Sequence, residues 1–355
     1  MPGVKPEFRT LVVNAGSSSL KLALLGDTDE PIVERSLDVP DTEFDSAELI
    51  EALHQGGLGK ADAVGHRIVH GGERFSAAVR VDQEVREALG ALTALAPLHQ
   101  PKSLGALDAV SRELPDVPAV ACFDTAFHAT MPAAAHTYPV PAEWRQRWGL
   151  RRFGFHGLSH SYIARLVPEL VGLDAGAAAE LRIVSCHLGA GASLCAIAGG
   201  RSVDTTMGFT PLEGLVMGTR SGTVDPGMLL WLLQQTSMSV IELADGLEHE
   251  SGLIGLAGSA DMRDVIAARA AGDERATVAL DVYLHRLRAG IAAMAAALGG
   301  VDVLVFTGGI GEHLHEIRDD AVAGLHFLSP TPQVLMIPAR EDLEIASETR
   351  ALLGA

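Results

Sequence analysis

Positive charge is scarce in this chain of 355 residues: 27 Lys and Arg against 45 Asp and Glu leave a formal net charge of −18. Nucleic acid and anionic membrane both demand an electropositive footprint, so neither is expected as a main partner. Cysteine is scarce too. Cys122, Cys186 and Cys195 are odd in number, lack C-x-x-C spacing and lie in apolar, strand-like segments, which predicts reduced, buried thiols over disulfides or zinc. No apolar run approaches the roughly 20 residues that cross a bilayer. No secretory pattern follows Lys5 and Arg9, and the predicted location is cytoplasmic. The full G-x-G-x-x-G and G-x-x-x-x-G-K-[ST] patterns are also missing, so neither a Rossmann dinucleotide site nor a P-loop is supported.

What is present is a phosphate grammar of another kind. An apolar run, Leu11 to Val13, empties into Asn14-Ala15-Gly16-Ser17-Ser18-Ser19-Leu20-Lys21, where small residues let backbone N–H groups approach an anion closely. A tight hairpin is the plain alternative. The pattern recurs where Arg182 to Cys186 runs into His187-Leu188-Gly189-Ala190-Gly191-Ala192-Ser193, and the echo predicts two similar domains facing one nucleotide.

Strands are predicted at Thr10 to Val13, Leu20 to Leu25, Ala63 to Val69, Ala119 to Phe123, Arg182 to Cys186, Ser193 to Ile197 and Val301 to Phe306. Helices are predicted over Gln83 to Ala96, from a Ser103 cap to Leu114, over Ser161 to Val171, from Asp225-Pro226 to Gln235, and from Asp273 to Leu298. The alternation gives an α/β fold, with Met131 to Trp148 as a proline-rich linker region.

Arg67 lies in a strand that otherwise wants apolar residues, so it needs an anionic partner: an internal carboxylate or a substrate. Asp124 ends an apolar strand, where open α/β sheets place metal ligands and reactive groups, although a helix cap reads equally well. His156 precedes a helix and either faces an anion there or packs in a core. The Thr206 to Gly222 loop is too glycine-rich for a helix and carries Arg220, whose planar fork suits a phosphoryl group; a solvated arginine is the alternative. Gly258 to Arg263 and Phe306 to His313 add glycine at two further element boundaries.

Together N-A-G-S-S-S-L-K, G-H-R-I-V-H-G-G-E, F-D-T-A-F-H, F-G-F-H-G-L-S-H, T-P-L-E-G-L-V-M-G-T-R-S-G and T-G-G-I-G-E resemble the acetate kinase family, in the family's order and over nearly the whole chain. The resemblance implies two duplicated ribonuclease-H-like, actin-like ATPase domains with a nucleotide cleft between them. It divides the chain into 1–128 plus 343–355 and 129–342, with a hinge near Ala129 to Tyr138. The implied activity is reversible transfer of the ATP γ-phosphoryl group to acetate, giving acetyl phosphate and ADP, directly and in line.

Carried across residue by residue, the resemblance puts Mg2+, or Mn2+ in its stead, beside Asn14, Asp124 and Glu341. Glu341 has the weakest local signal and reads otherwise as an exposed acid at a helix start. Asp124, His156 and Arg220 take the catalytic roles. Arg67, Val69, Leu98, Phe155 and Pro211 take the acyl group. ATP falls to Lys21, to His187, Leu188, Gly189, Ala190 and Gly191, to Asp261, Met262 and Arg263, and to Gly309, Ile310, Gly311, Glu312 and His313. A homodimer is implied as well. Ala190, His313 and Gln100 each stand where the family usually has asparagine, which bears on ATP affinity and phosphoryl-donor identity. The rival readings are a kinase for propionate or another short fatty acid and a non-catalytic actin-like nucleotide-binding protein; Arg67, His156 and Arg220 in intact surroundings argue against the latter.

Overall fold

The computed structural model describes residues 7–16, 19–28, 30–38, 46–55, 57–96 and 100–355. Two sheets organise it. The first contains β1 (Thr10–Ala15), β2 (Ser19–Leu25), β3 (Pro31–Asp38), β4 (Ala63–Ile68), β5 (Val79–Arg80) and β6 (Ala119–Phe123), in the order β3-β2-β1-β4-β6-β5. The second contains β7 (Arg182–Leu188), β8 (Ala192–Ala198), β9 (Arg201–Thr205), β10 (Val303–Thr307) and β11 (Gln333–Met336), in the order β11-β10-β7-β8-β9.

The two sheets repeat one topology. In each, a leading strand (β1, β7) pairs antiparallel with the next strand, which pairs antiparallel with a third. On its other side the leading strand pairs parallel with a strand that is parallel to a fifth. This is the duplication that the echo of residues 10–25 near 182–198 anticipates. Mixed sheets of this order, interleaved with helices, are the ribonuclease-H-like arrangement of the actin-like ATPases.

Contacts divide the chain into two compact units, Met1–Ala129 with Gly157–Tyr162 and Arg340–Ala355, and Thr130–His156 with Ile163–Ala339. The division differs from 1–128 plus 343–355 mainly at Gly157–Tyr162. There the Gly157 N–H donates to the Asp124 carbonyl at 2.8 Å, and Leu158 and Tyr162 pack with Val12, Cys122 and Ile345. Residues 131–148 are no bare linker either: they fold into short helices, Ala133–His136 and Ala142–Trp148.

Strand alternation builds the first unit's core. Leu11 and Val13 of β1 pack with Leu22, Leu24, Leu49 and Val110 on one face, while Val12 packs with Val120, Cys122 and Ile345 on the other. Gly65 of β4 admits the C-terminal helix, Glu341–Leu353: a Cβ there would sit 2.5 Å from Thr349 Oγ1 and 2.6 Å from Ile345 Cγ2. All three cysteines are buried thiols outside any disulfide, and burial pushes the Cys195 thiol up to about 12. Among the described residues no helix is long and apolar enough to cross a membrane.

Helix ends follow local chemistry. Asp225 caps Pro226–Gln235 by accepting from the Gly227 N–H, and Asp273 caps Glu274–Leu298, which stops at Gly299 in the left-handed region (φ 67°). Three expectations need correction. The Gln83 helix ends at Ala91 and tightens into a 3-10 turn, Leu92–Leu95. Ser103 is no cap but a buried interior residue of Gln100–Glu113. The helix expected from Ser161 begins at Gly157, because the chain turns sharply at His156.

The close approach at Gly65 makes a quantitative prediction. Gly65→Ala overpacks the interface with the C-terminal helix and should lower stability by about 1–3 kcal/mol, read as a lower urea midpoint. Gly246→Ala, in the Val240–His249 helix with nothing within 4 Å of the added methyl, should instead gain about 0.4–1 kcal/mol. Equal midpoints for the two variants would contradict the packing account.

Candidate active site

The sequence-predicted residues assemble into two clusters, one in each unit. In the first, the parallel neighbours β1, β4 and β6 end side by side, and their carboxyl ends deliver Asn14, Arg67 and Asp124. Arg67 reaches Asp124 through a fork, with Nη2 donating to Oδ2 at 2.6 Å and Nε to Oδ2 and Oδ1 at 3.0 and 3.2 Å. Its Nη1 donates to Asn14 Oδ1 at 3.2 Å and lies 3.8 Å from Glu341 Oε2. Asn14 Nδ2 closes the set by donating to Glu341 Oε2 at 3.0 Å.

This geometry decides between the alternatives for three residues. Arg67 does have an internal carboxylate partner, Asp124 is an ion-pair partner and no helix cap, and Glu341 is nearly enclosed, with 13% of its side chain exposed. Burial pushes the Asp124 carboxyl up to about 6 against the pull of Arg67. Burial alone would lower the Arg67 pKa, but Asp124 and Glu341 more than restore it, so the guanidinium is firmly charged. Two carboxylates against one guanidinium leave the cluster net negative. The donor set is oxygen throughout, which suits a hard divalent cation.

Val69 lies buried just beyond β4, and Gln100, the first residue of the helix Gln100–Glu113, is buried too. Gln100 Oε1 accepts from the His70 N–H, and its Nε2 donates to the His70 and Leu89 carbonyls, so this amide ties the strand exit to the helix. Leu98 lies outside the described residues, as do Ser17 and Ser18 of the first glycine-serine turn. Lys21 is exposed on β2 and pairs in register with Asn14.

The second cluster forms where β7 and β10 end in parallel, with His187 opposite Thr307. The turn after β7 closes through the Gly189 N–H to the Gly191 carbonyl at 2.9 Å. Two further segments converge on it. The His156 ring stacks on His187 at 4.2 Å, and His156 Nδ1 lies 2.9 Å from Ser193 Oγ. The loop carrying Arg220 docks through the Gly218 N–H to the Ala190 carbonyl at 3.1 Å. A Cβ on Gly191 would lie 3.0 Å from Arg220 Nη2 and 3.4 Å from the His156 ring, so glycine is what permits this approach.

His156 is the only non-glycine residue with positive φ (56°) among those described. Strain of this kind persists where surrounding structure over-determines it, commonly at functional sites. Arg220 is half-buried and donates from Nη1 to the Pro211 carbonyl at 2.9 Å. It has no ion-pair partner among the described residues; burial lowers its pKa and the charge of Glu248 opposes the drop. The solvated alternative is thereby excluded. Phe155, next to His156, is buried.

The short helix Gly308–His313 follows β10 and brings Gly309 to Gly189, with 4.0 Å between a Cβ on Gly189 and the Gly309 nitrogen. Glu312 Oε1 accepts from the Ala339 N–H, so its carboxylate braces the chain before Arg340. Ile310 is partly covered and His313 is exposed. Asp261 caps the helix Met262–Ala270 and forks Arg263 in an exposed pair at 2.5 Å, while the Met262 side chain is buried. Two functional-looking residues escaped the sequence reading: Ser193, whose hydroxyl meets His156, and Glu213, whose carboxylate gathers Tyr138 and Arg152.

The Acetokinase family model matches residues 45–336. The acetate kinase of Deinococcus radiodurans is 42% identical, over 97% of this chain and 98% of that one. Among solved structures, the acetate kinase of Porphyromonas gingivalis superposes with a TM-score of 0.88 at 34% identity, covering 98% of this chain and 100% of that one. A propionate kinase from Francisella tularensis gives a TM-score of 0.88 at 33% identity, covering 97% and 99%. With a family model over most of its length and full-length relatives well above 30% identity, this chain belongs to the acetokinase family.

Proposed function

We propose that the chain transfers the γ-phosphoryl group of ATP to acetate, reversibly, giving acetyl phosphate and ADP. The observation that carries the reading is Arg220: a half-buried guanidinium with no ion-pair partner among the described residues, held with His156 against the glycine of a phosphate-type turn. Leaving a cation desolvated is costly unless an anion arrives to match it. A phosphoryl group in flight, with charge spread over its equatorial oxygens, is such an anion.

In this reading the backbone of His187 to Gly191 cradles the phosphates, and Arg220 and His156 steady the transferring group by electrostatic preorganisation. Ser193 fixes the His156 ring. Asp261 to Arg263 and Gly309 to His313 face the remainder of the nucleotide, and Lys21 adds positive charge beside the first turn. Arg67 receives the acyl carboxylate, with Val69, Leu98, Phe155 and Pro211 around the methyl group. The acceptor carboxylate is already ionised at neutral pH, given a reference pKa near 4.3 for such acids, so no general base is required. Asp124 therefore holds Arg67 in place and takes no proton.

Asn14, Asp124 and Glu341 fit magnesium: the cluster is oxygen-only and net negative, and magnesium takes one or two carboxylates and keeps several waters. When bound, magnesium supplies charge neutralisation for the phosphates. Three buried thiols outside any disulfide support cytoplasmic residence. Homodimerisation is supported by an apolar face on the second unit, where Trp231, Val240 and Ile241 are 58%, 70% and 81% exposed on the neighbouring helices Pro226–Gln235 and Val240–His249.

Hydroxylamine trapping of acyl phosphate tests the reaction. With ATP and magnesium, acetate should give the strongest product, above propionate and butyrate. Arg67→Ala and Arg220→Ala should each lower kcat/KM by about 100-fold or more, the scale on which a preorganised charge contributes. No product from any of the acids with the parent protein would overturn the proposal. For the assembly, light scattering should give a dimer for the parent and a monomer for the Trp231→Glu, Ile241→Glu double variant; a monomeric parent would refute it.

A further inference from the structure

Glu213 sits in the Thr206 to Gly222 loop at the centre of a polar network outside the machinery described above. Its Oε2 accepts from Tyr138 Oη at 2.5 Å and its Oε1 from Arg152 Nη2 at 2.6 Å. The other terminal nitrogen of Arg152 donates to three successive carbonyls, Thr205, Thr206 and Met207, at 3.2, 3.0 and 2.9 Å. The guanidinium also lies over the Tyr138 ring, 5.6 Å from its centroid. Tyr138 Oη in turn accepts from the Phe209 N–H at 2.8 Å. Gly208 is enclosed by this set: a Cβ there would collide with Glu213 and with the Tyr138 hydroxyl.

Both chain segments leaving the network run directly into the site. The Phe153 and Gly154 N–H groups donate to the Gly208 carbonyl, each at 3.1 Å, and the next two residues are Phe155 and His156. Two residues before Glu213 is Pro211, whose carbonyl holds Arg220 at 2.9 Å. One carboxylate thus ties together the segment carrying Phe155 and the loop carrying Pro211. A fork that binds a carboxylate and three carbonyls at once is a geometry that lysine cannot reproduce.

We propose that Arg152, Glu213 and Tyr138 are positioning residues that fix Phe155 relative to Pro211 and thereby set which carboxylate chain length the enzyme accepts. The inference rests on the acyl-phosphate reading of the same site and deepens it. Loosening the network should widen the acyl side and admit an extra methylene. It should leave the turn at His187 to Gly191 and the nucleotide contacts unchanged. A network that merely stabilised the loop would weaken all substrates alike.

The test compares kcat/KM for acetate and for propionate, with KM for ATP measured alongside, in the parent and in Glu213→Gln, Tyr138→Phe and Arg152→Lys. Discrimination by one methylene in an apolar pocket spans about 10–200-fold, so a loosened pocket should lose at least about fivefold of the parent's acetate preference. Glu213→Gln should show this loss with KM for ATP changed less than about twofold. Arg152→Lys should fail to restore the ratio although it keeps the charge. Tyr138→Phe, which removes one oxygen, should fold normally and move the ratio the same way by less. An unchanged acetate-to-propionate ratio in active Tyr138→Phe and Glu213→Gln proteins would overturn the inference alone. Absence of acyl phosphate with the parent would instead bring down the reading on which it rests.

Discussion

The buried fork between Arg67 and Asp124 is the constraint around which the first unit is arranged. A guanidinium with 13% of its side chain exposed cannot stand at the end of a sheet without counter-charge, and Asp124, 1% exposed, supplies it. The sheet order makes this available, because β4 and β6 are parallel neighbours whose carboxyl ends coincide. β1 lies on the other side of β4 and brings Asn14, and the C-terminal helix starts where Glu341 can reach both. Removing one member of such a pair typically costs about 3–5 kcal/mol, because the survivor stays buried and uncompensated. The pair is weak support for stability as such; what it achieves is a fixed orientation for a charged fork.

The second unit repeats the sheet but not the chemistry. Where β1 and β4 deliver an amide and a guanidinium, β7 and β10 deliver a histidine and a glycine-led helix start. Glu213 and Glu312 instead brace neighbouring chain, through Arg152 and the Ala339 N–H. Arg220 meets the turn at Gly191 with no ion-pair partner among the described residues, and only the charge of Glu248 opposes its desolvation. The two sheets end alike but carry different chemistry: one end gathers two carboxylates around one guanidinium, the other a histidine pair and Arg220 around a glycine turn.

Much of this was legible in the sequence. The strands carrying site residues are readable because their apolar runs stop abruptly at Asn14, Asp124 and His187 or are broken from within by Arg67, and a polar residue at such a place has few structural uses. The edge strands β3, β5, β9 and β11 escape for other reasons: residues 31–37 are largely exposed, β5 and β11 are only two and four residues long, and β9, Arg-Ser-Val-Asp-Thr, has no apolar run. Glu341 read as an exposed helix-start acid because its partner Asn14 is 327 positions away, and no local window contains both. The roles of Ser193 and Glu213 were hidden similarly, since a serine in a strand and a glutamate in a glycine-rich loop become informative only when His156 and Arg152 arrive from elsewhere in the chain.

The central claim is that Arg67 and Asp124 act as one unit in the proposed reaction, the carboxylate working only through the guanidinium it orients. A double-mutant cycle on acyl phosphate formation, with Arg67→Ala, Asp124→Asn and the pair, measures this directly. The account predicts that the double variant is no slower than about the slower single variant, as for groups that function together. Losses that multiply, with each substitution costing as much in the presence of the other as alone, would contradict it.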